Sequence, residues 1–135
     1  MSTFNLTNSP YSSHVCYIQR REMKLMNTIF HIDESAKWPT VLSNIANYQA
    51  AANAAGLSGK IELLINGAPV VDAKTTSQID LQPLVAAGVT VAVCRNAMVS
   101  HQVNENALQP GLTVVPAGVF ELAKRQHEGY AYIKP

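Results

Sequence analysis

From residue 27 onward, the apolar positions switch repeatedly between a strand-like and a helix-like period. Asn27 to Asp33 (N-T-I-F-H-I-D) is rich in β-branched and aromatic residues and predicts a strand. Beyond Ser35, a candidate helix cap, Trp38, Val41, Leu42, Ile45, Tyr48 and Ala52 recur at helical spacing on one face. Pro39 fits only the first turn of that helix, and Gly56 is a natural stop. Asn44 and Asn47 share a second face with Thr40 and Ala51, polar but uncharged, as expected where something packs against it.

Lys60 to Ile65 predicts the second strand, ended by Asn66-Gly67. Ser77 and Asp80 have the spacing of a capping box, opening a helix with Ile79, Leu81, Leu84 and Val85 that Gly88 closes and Pro83 shortens or kinks. Val89 to Cys94 is a continuous apolar run, the composition of a strand covered on both faces. A short helix over about Ala97 to Leu108 stops at Pro110-Gly111, and Leu112 to Val115 makes a fourth strand. Val119, Leu122 and Ala123 belong to a last helix running to His127, after which Gly129 releases Tyr130 to Ile133 as a fifth strand.

Strands alternating with helices imply right-handed βαβ units, so the fold class is α/β, with five strands in a mainly parallel sheet between helical layers. No internal repeat or low-complexity tract interrupts it. The first 25 residues differ. Only His14 to Ile18 suggests a strand there, and the basic Arg20, Arg21 and Lys24 follow the apolar stretch, the reverse of a secretory signal. We read 1–25 as a flexible or accessory leader and 26–135 as the domain.

The chain has 135 residues and 14.6 kDa, one ordinary domain. Ten Lys+Arg against nine Asp+Glu give a formal charge of +1, which argues against a phosphate-neutralising nucleic-acid surface. No run reaches the ~18–20 apolar residues of a membrane span, and two cysteines make no disulfide framework. Charged residues are only 14% of the chain, and none occurs over 38–59, 81–94 or 106–120. Such surfaces suit contact with other copies, so a homo-oligomer is expected.

Ligands of open α/β sheets sit beyond the carboxyl ends of the strands. Those ends present His31 and Asp33, then Asn66 and Gly67, then Cys94, Arg95 and Asn96, then Pro116, Ala117 and Gly118. Cys94 is the only nucleophile among them. It stands before a helix start, with Asn96 as a cap and Arg95 as a neighbouring cation, and both features favour a thiolate. The competing reading is a buried, inert core thiol. His14 and Cys16 lack a second pair at zinc spacing, so no metal site is expected. No Walker loop or G-x-G-x-x-G occurs, so no nucleotide cofactor is expected either. His101 and His127 read as solvated helix residues, and no Ser/His/Asp set has a recognisable context.

The C-terminal half carries V-A-V-C-R-N-A at 91–97, V-V-P-A-G-V at 114–119 and R-Q-H-E-G-Y-A-Y-I-K-P at 125–135. With F-H-I-D at 30–33, N-I-A-N at 44–47 and I-N-G at 65–67, the chain resembles the DsrE/DsrF-like family over roughly residues 27 to 135. The resemblance implies a three-layer α/β/α domain with a five-stranded parallel sheet, assembled as a homotrimer or hexamer, and cytoplasmic sulfur handling. It also implies persulfide on a cysteine after the third strand, the place of Cys94, exchanged with a donor or acceptor protein. Relay members follow that cysteine with small residues and an R-G turn. This chain reads Arg95-Asn96-Ala97-Met98 and looks closer to a stand-alone branch. Two functions follow: a sulfurtransferase-like persulfide carrier, or a non-catalytic oligomeric module binding a small ligand or partner at the same rim.

Overall fold

In the computed structural model, residues 25–135 are described. The leader, apart from Leu25, lies outside the described residues, and so do the strand expected at His14–Ile18 and Cys16.

Five strands form one sheet: β1 (Thr28–Ile32), β2 (Ile61–Ile65), β3 (Thr90–Cys94), β4 (Thr113–Val115) and β5 (Ala131–Ile133). Their order is β4-β3-β2-β1-β5, and every pairing is parallel. The helices are α1 (Trp38–Ala54), α2 (Gln82–Ala86), α3 (Arg95–Ser100) and α4 (Gly118–His127). The three-layer architecture follows from the order. From β1 to β4 the chain steps steadily toward one edge, so right-handed crossovers place their connections on one face. From β4 it returns across the sheet to β5, and the same handedness puts α4 on the other face.

The two cores match this division. On the first face Trp38, Val41 and Ile45 of α1, Leu84 of α2 and Met98 of α3 pack with Phe30, Ile32, Leu63, Ile65, Val91 and Val93. On the second, Ile29, Leu64, Ala92, Val115 and Tyr130 are joined by a single apolar side chain of α4, Leu122. β3 is interior, between β2 and β4, with Val91 to Cys94 buried as their uninterrupted apolar run requires.

Several local expectations are corrected. Ser35 caps nothing; it opens a 3-10 turn over Ser35–Lys37, and α1 starts at Trp38 with Pro39 in its first turn. Ser77 and Asp80 form no reciprocal box. Ser77 Oγ accepts the Ile79 N–H at 2.9 Å and Asp80 Oδ1 accepts the Gln82 N–H at 3.0 Å, two separate turns that satisfy the backbone without a helix. Helix α2 therefore spans only five residues, with Pro83 near its start. The helix expected at 97–108 is instead α3, six residues long and starting two residues earlier than expected, followed by a 3-10 turn over Glu105–Ala107. Gln102, with φ 55, breaks the path between them.

One buried polar side chain organises these loops. Gln109 Oε1 accepts the Leu81 N–H at 2.9 Å, and its Nε2 donates to the Ile79 and Lys74 carbonyls at 2.7 and 3.3 Å. A segment with little regular structure thus has its inward-facing backbone groups paired. Among the described residues, no helix is long and apolar enough to cross a membrane.

Candidate functional site

Cys94 ends β3 and caps α3 with its own side chain. Its Sγ accepts the Ala97 N–H at 3.5 Å, the role Ser or Thr oxygen usually plays at a helix start. This corrects the expectation that Asn96 is the cap: Asn96 lies inside the first turn of α3. A second donor comes from another element. The Gly118 N–H, at the start of α4, points at the same sulfur at 3.2 Å. That approach depends on a missing side chain, since a Cβ on Gly118 would stand 3.1 Å from Asn66 Cγ and 3.3 Å from Cys94 Cβ.

The sulfur forms part of the wall of a cavity of about 300 Å³, with Asn66, Gly67, Asn96, Ala97, Ser100, His101, Ala117, Gly118 and Val119. Six of the residues singled out from the strand ends therefore meet: Cys94, Asn66, Gly67, Asn96, Ala117 and Gly118. Asn66 Oδ1 accepts the Gly67 N–H at 2.9 Å, which fixes the turn after β2. His101, read from the sequence as a solvated helix residue, lines this wall, and Ser100 had no place in the sequence reading. Their signal was spacing, because 94, 97 and 101 fall on one side of a helix beginning at the cysteine.

Four other rim residues lie outside this wall. Arg95 is exposed and pairs with Glu105 at 3.2 Å. Pro116 is exposed beyond β4. His31 and Asp33 belong to the β1–β5 side of the rim. His31 Nδ1 lies 2.7 Å from Tyr132 Oη, and Asp33 pairs with Lys134 at 3.3 Å. Burial holds the His31 imidazole below its ordinary value, with the Asp33 carboxylate opposing and Lys134 reinforcing that shift. Its Nε2 is buried without a hydrogen-bond partner.

A charged cluster lies on the same face of the sheet as α4. Glu62, on β2, and Glu121, on α4, are both buried, and the single Nε–H of Arg125 reaches one oxygen of each at 2.9 Å. Arg125 also donates to Glu128 at 3.1 Å, and its guanidinium stands 5.3 Å from the centre of the Tyr130 ring. Burial first, and then the neighbouring Glu121, push the Glu62 carboxyl up to about 7 against the pull of Arg125. For Arg125, burial works against the charge, but Glu62, Glu128 and Glu121 outweigh it and raise its pKa.

A larger cleft, about 590 Å³, runs past Trp38, Asp72 and Ser77, but none of its lining residues is a cysteine or a histidine. Among the described residues, no group of three or more His, Cys, Asp and Glu side chains is placed to hold a metal ion.

The fold and this rim thus define an α/β protein with a cysteine held at the carboxyl ends of a parallel sheet. It belongs to the DsrE/DsrF-like family, whose model matches residues 21–135. The structure is similar to that of a protein of unknown function from Methanobacterium thermoautotrophicum, at 30% identity and a TM-score of 0.76, covering 82% of this chain and 99% of that one. A conserved protein of unknown function from Bacteroides thetaiotaomicron shares the fold at 20% identity and a TM-score of 0.58, covering 85% of this chain and 97% of the other. No curated protein matches the chain. Family membership points to a sulfur-related function.

Proposed function

We propose that this protein carries sulfane sulfur as a persulfide on Cys94. The observation that supports this is the convergence of two N–H groups, from Ala97 and Gly118, on one sulfur at a cavity wall. Such donors stabilise negative charge on the atom they reach, and the thiolate is the nucleophile. In loading, the Cys94 thiolate attacks the outer sulfur of a donor persulfide. The donor S–S bond breaks, a new S–S bond forms on Cys94, and the donor leaves as a thiolate. The outer sulfur brings its proton with it, and no external oxidant or reductant enters. An acceptor thiolate unloads Cys94 by the reverse exchange. His31, Asp33, Arg95 and Pro116 then border the approach to the site along the same rim.

The reading also includes a cytoplasmic homotrimer or hexamer. It is supported by apolar side chains on the outer surface, Val119 at 72% exposure and Phe120 at 65%, beside the cavity. One observation favours the binding-module alternative: Cys94 is only 3% exposed. Intact mass after treatment with a persulfide donor decides between them. Gain of one sulfur that survives Cys16→Ser and disappears with Cys94→Ser supports the carrier. No adduct, with Cys94 resisting alkylation until denatured, supports the module.

A further inference from the structure

Helix α4 is docked in an unusual way. Its ten residues present Gly118, Glu121, Leu122 and Arg125 to the sheet, and Leu122 is the one large apolar side chain among them. Val119 and Phe120, which an amphipathic helix would turn inward, face outward. Attachment at the C-terminal half of α4 therefore falls to the ionic cluster, where one N–H serves two carboxylates. A single proton cannot fully satisfy two anionic acceptors, and Glu62 Oε2 has no hydrogen-bond partner at all. At the other end of the same helix, one turn from Glu121, sits the Gly118 N–H that reaches Cys94.

We propose that Glu62, Glu121 and Arg125 are positioning residues for Cys94: a proton on Glu62 seats α4, and the seated helix holds the Gly118 N–H on the sulfur. This inference rests on the reading of Cys94 as a sulfur carrier and adds how the carrier is regulated. With Glu62 protonated, Arg125 and Glu121 form a compensated pair and the seat is neutral. With Glu62 ionised, the guanidinium faces Glu62, Glu121 and the half-exposed Glu128, and uncompensated charge accumulates under the helix. The other groups around Glu62 do not offset it. Tyr130 packs beside Arg125, while the neighbours in register are Ile29 on β1 and Thr90 on β3, both uncharged. The close contact at Gly118 leaves little slack, so a small lift of α4 lengthens the N–H to sulfur distance. Sulfur is thus retained when the cluster holds its proton and released when it loses it. The Glu62 carboxyl titrates near neutrality, within the range where such a seat would respond.

The test uses full-length protein and needs no sulfur donor. In ¹⁵N-labelled Cys94→Ser, which removes the thiol's own titration, the Gly118 amide resonance is followed from pH 5 to 9 alongside the Glu62 carboxyl. The expected result is one step at Gly118 with the carboxyl midpoint, lost in the double variant with Glu62→Gln. Cys94 alkylation is then compared in a Cys16→Ser background. Glu62→Gln keeps the seat neutral at every pH, so rates agree at pH 5.5, and at pH 8.5 the wild-type rate departs from the variant's by about threefold or more, the size expected for loss of one hydrogen bond. A Gly118 amide that stays still while Glu62 titrates overturns the proposal, as does an alkylation ratio independent of pH. If both responses appear but no persulfide forms on Cys94, the carrier reading fails and the coupling stands.

Discussion

The Gly118 N–H lies 3.2 Å from Cys94 Sγ, although the two residues are 24 positions apart and stand at the starts of helices that cover opposite faces of the sheet. The sulfur is where the two faces meet. A change that moves α4 relative to β3 is felt there as well as around Leu122 in the second core.

Gly118→Ala tests that contact directly. In most helices this change is favourable by about 0.5–1 kcal/mol. Here the new methyl would meet Asn66 at 3.1–3.2 Å and Cys94 at 3.3 Å. We expect the midpoint of urea unfolding to fall, by about 1 kcal/mol, and Cys94 alkylation in the native protein to change with it. A variant more stable than wild type would show that the close approach has no energetic weight.

Stability should depend on pH through Glu62. Its folded value, about 7, lies above the ordinary 4.5, so the native state binds more protons than the unfolded chain between those values. Its contribution is therefore fully present below about 4.5 and is lost as pH rises through about 7, by up to a few kcal/mol. Glu62→Gln keeps the shape without the charge. Comparing denaturation midpoints from pH 4.5 to 8, we expect the variant to gain on wild type as pH rises; parallel curves would contradict the assignment.

His31 works in the opposite direction. Burial depresses its folded value below 6.5, so the native state binds fewer protons, and this contribution is lost as pH falls through 6.5 toward that lower value. Tyr132→Phe removes the group that stands 2.7 Å from Nδ1 and leaves both ring nitrogens without a partner. A loss of about 1–2 kcal/mol at pH 8 is expected from urea titrations. An unchanged midpoint would mean the imidazole finds a substitute.

Phe120→Glu places a charge on the outer surface of α4 without touching the sheet, since this side chain is 65% exposed. Light scattering should report a smaller species than wild type at the same micromolar concentration, with the circular dichroism spectrum retained. Equal masses would remove this surface from the proposed assembly.

The readable parts of the chain were those where one local pattern had one outcome. Trp38, Val41 and Ile45 recur at helical spacing and line the core from α1, and the run Val91 to Cys94 admits no environment other than an interior strand. Residues taken from the strand ends, Cys94, Asn66, Gly67 and Gly118, line one cavity, because parallel strands deliver their carboxyl ends to a common rim. Two kinds of feature escaped. Ser77 and Asp80 satisfy backbone amides within their own turns, and the same residue types in the same spacing would also open a helix. The Glu62–Arg125 pair joins residues 63 apart, which leaves no local trace except a glutamate inside the apolar run K-I-E-L-L-I. The outward Val119 and Phe120 leave no local trace of their side either, because their apolar character serves the outside of the fold and not its core.

The last strand pairs with the first, and His31 finds Tyr132 across 101 residues of chain. A ribosome therefore releases β1 to β4 while the second face of the sheet is still bare and β1 still has an open edge. Until the segment carrying α4 emerges, the Gly118 N–H is missing from the cysteine. The Ala97 N–H is local to Cys94, whereas the second donor arrives only when the segment carrying α4 has folded onto the sheet. A chain clipped before α4 would lack that donor, so under the proposed carrier function the segment that follows β4 becomes a condition for holding sulfur on Cys94.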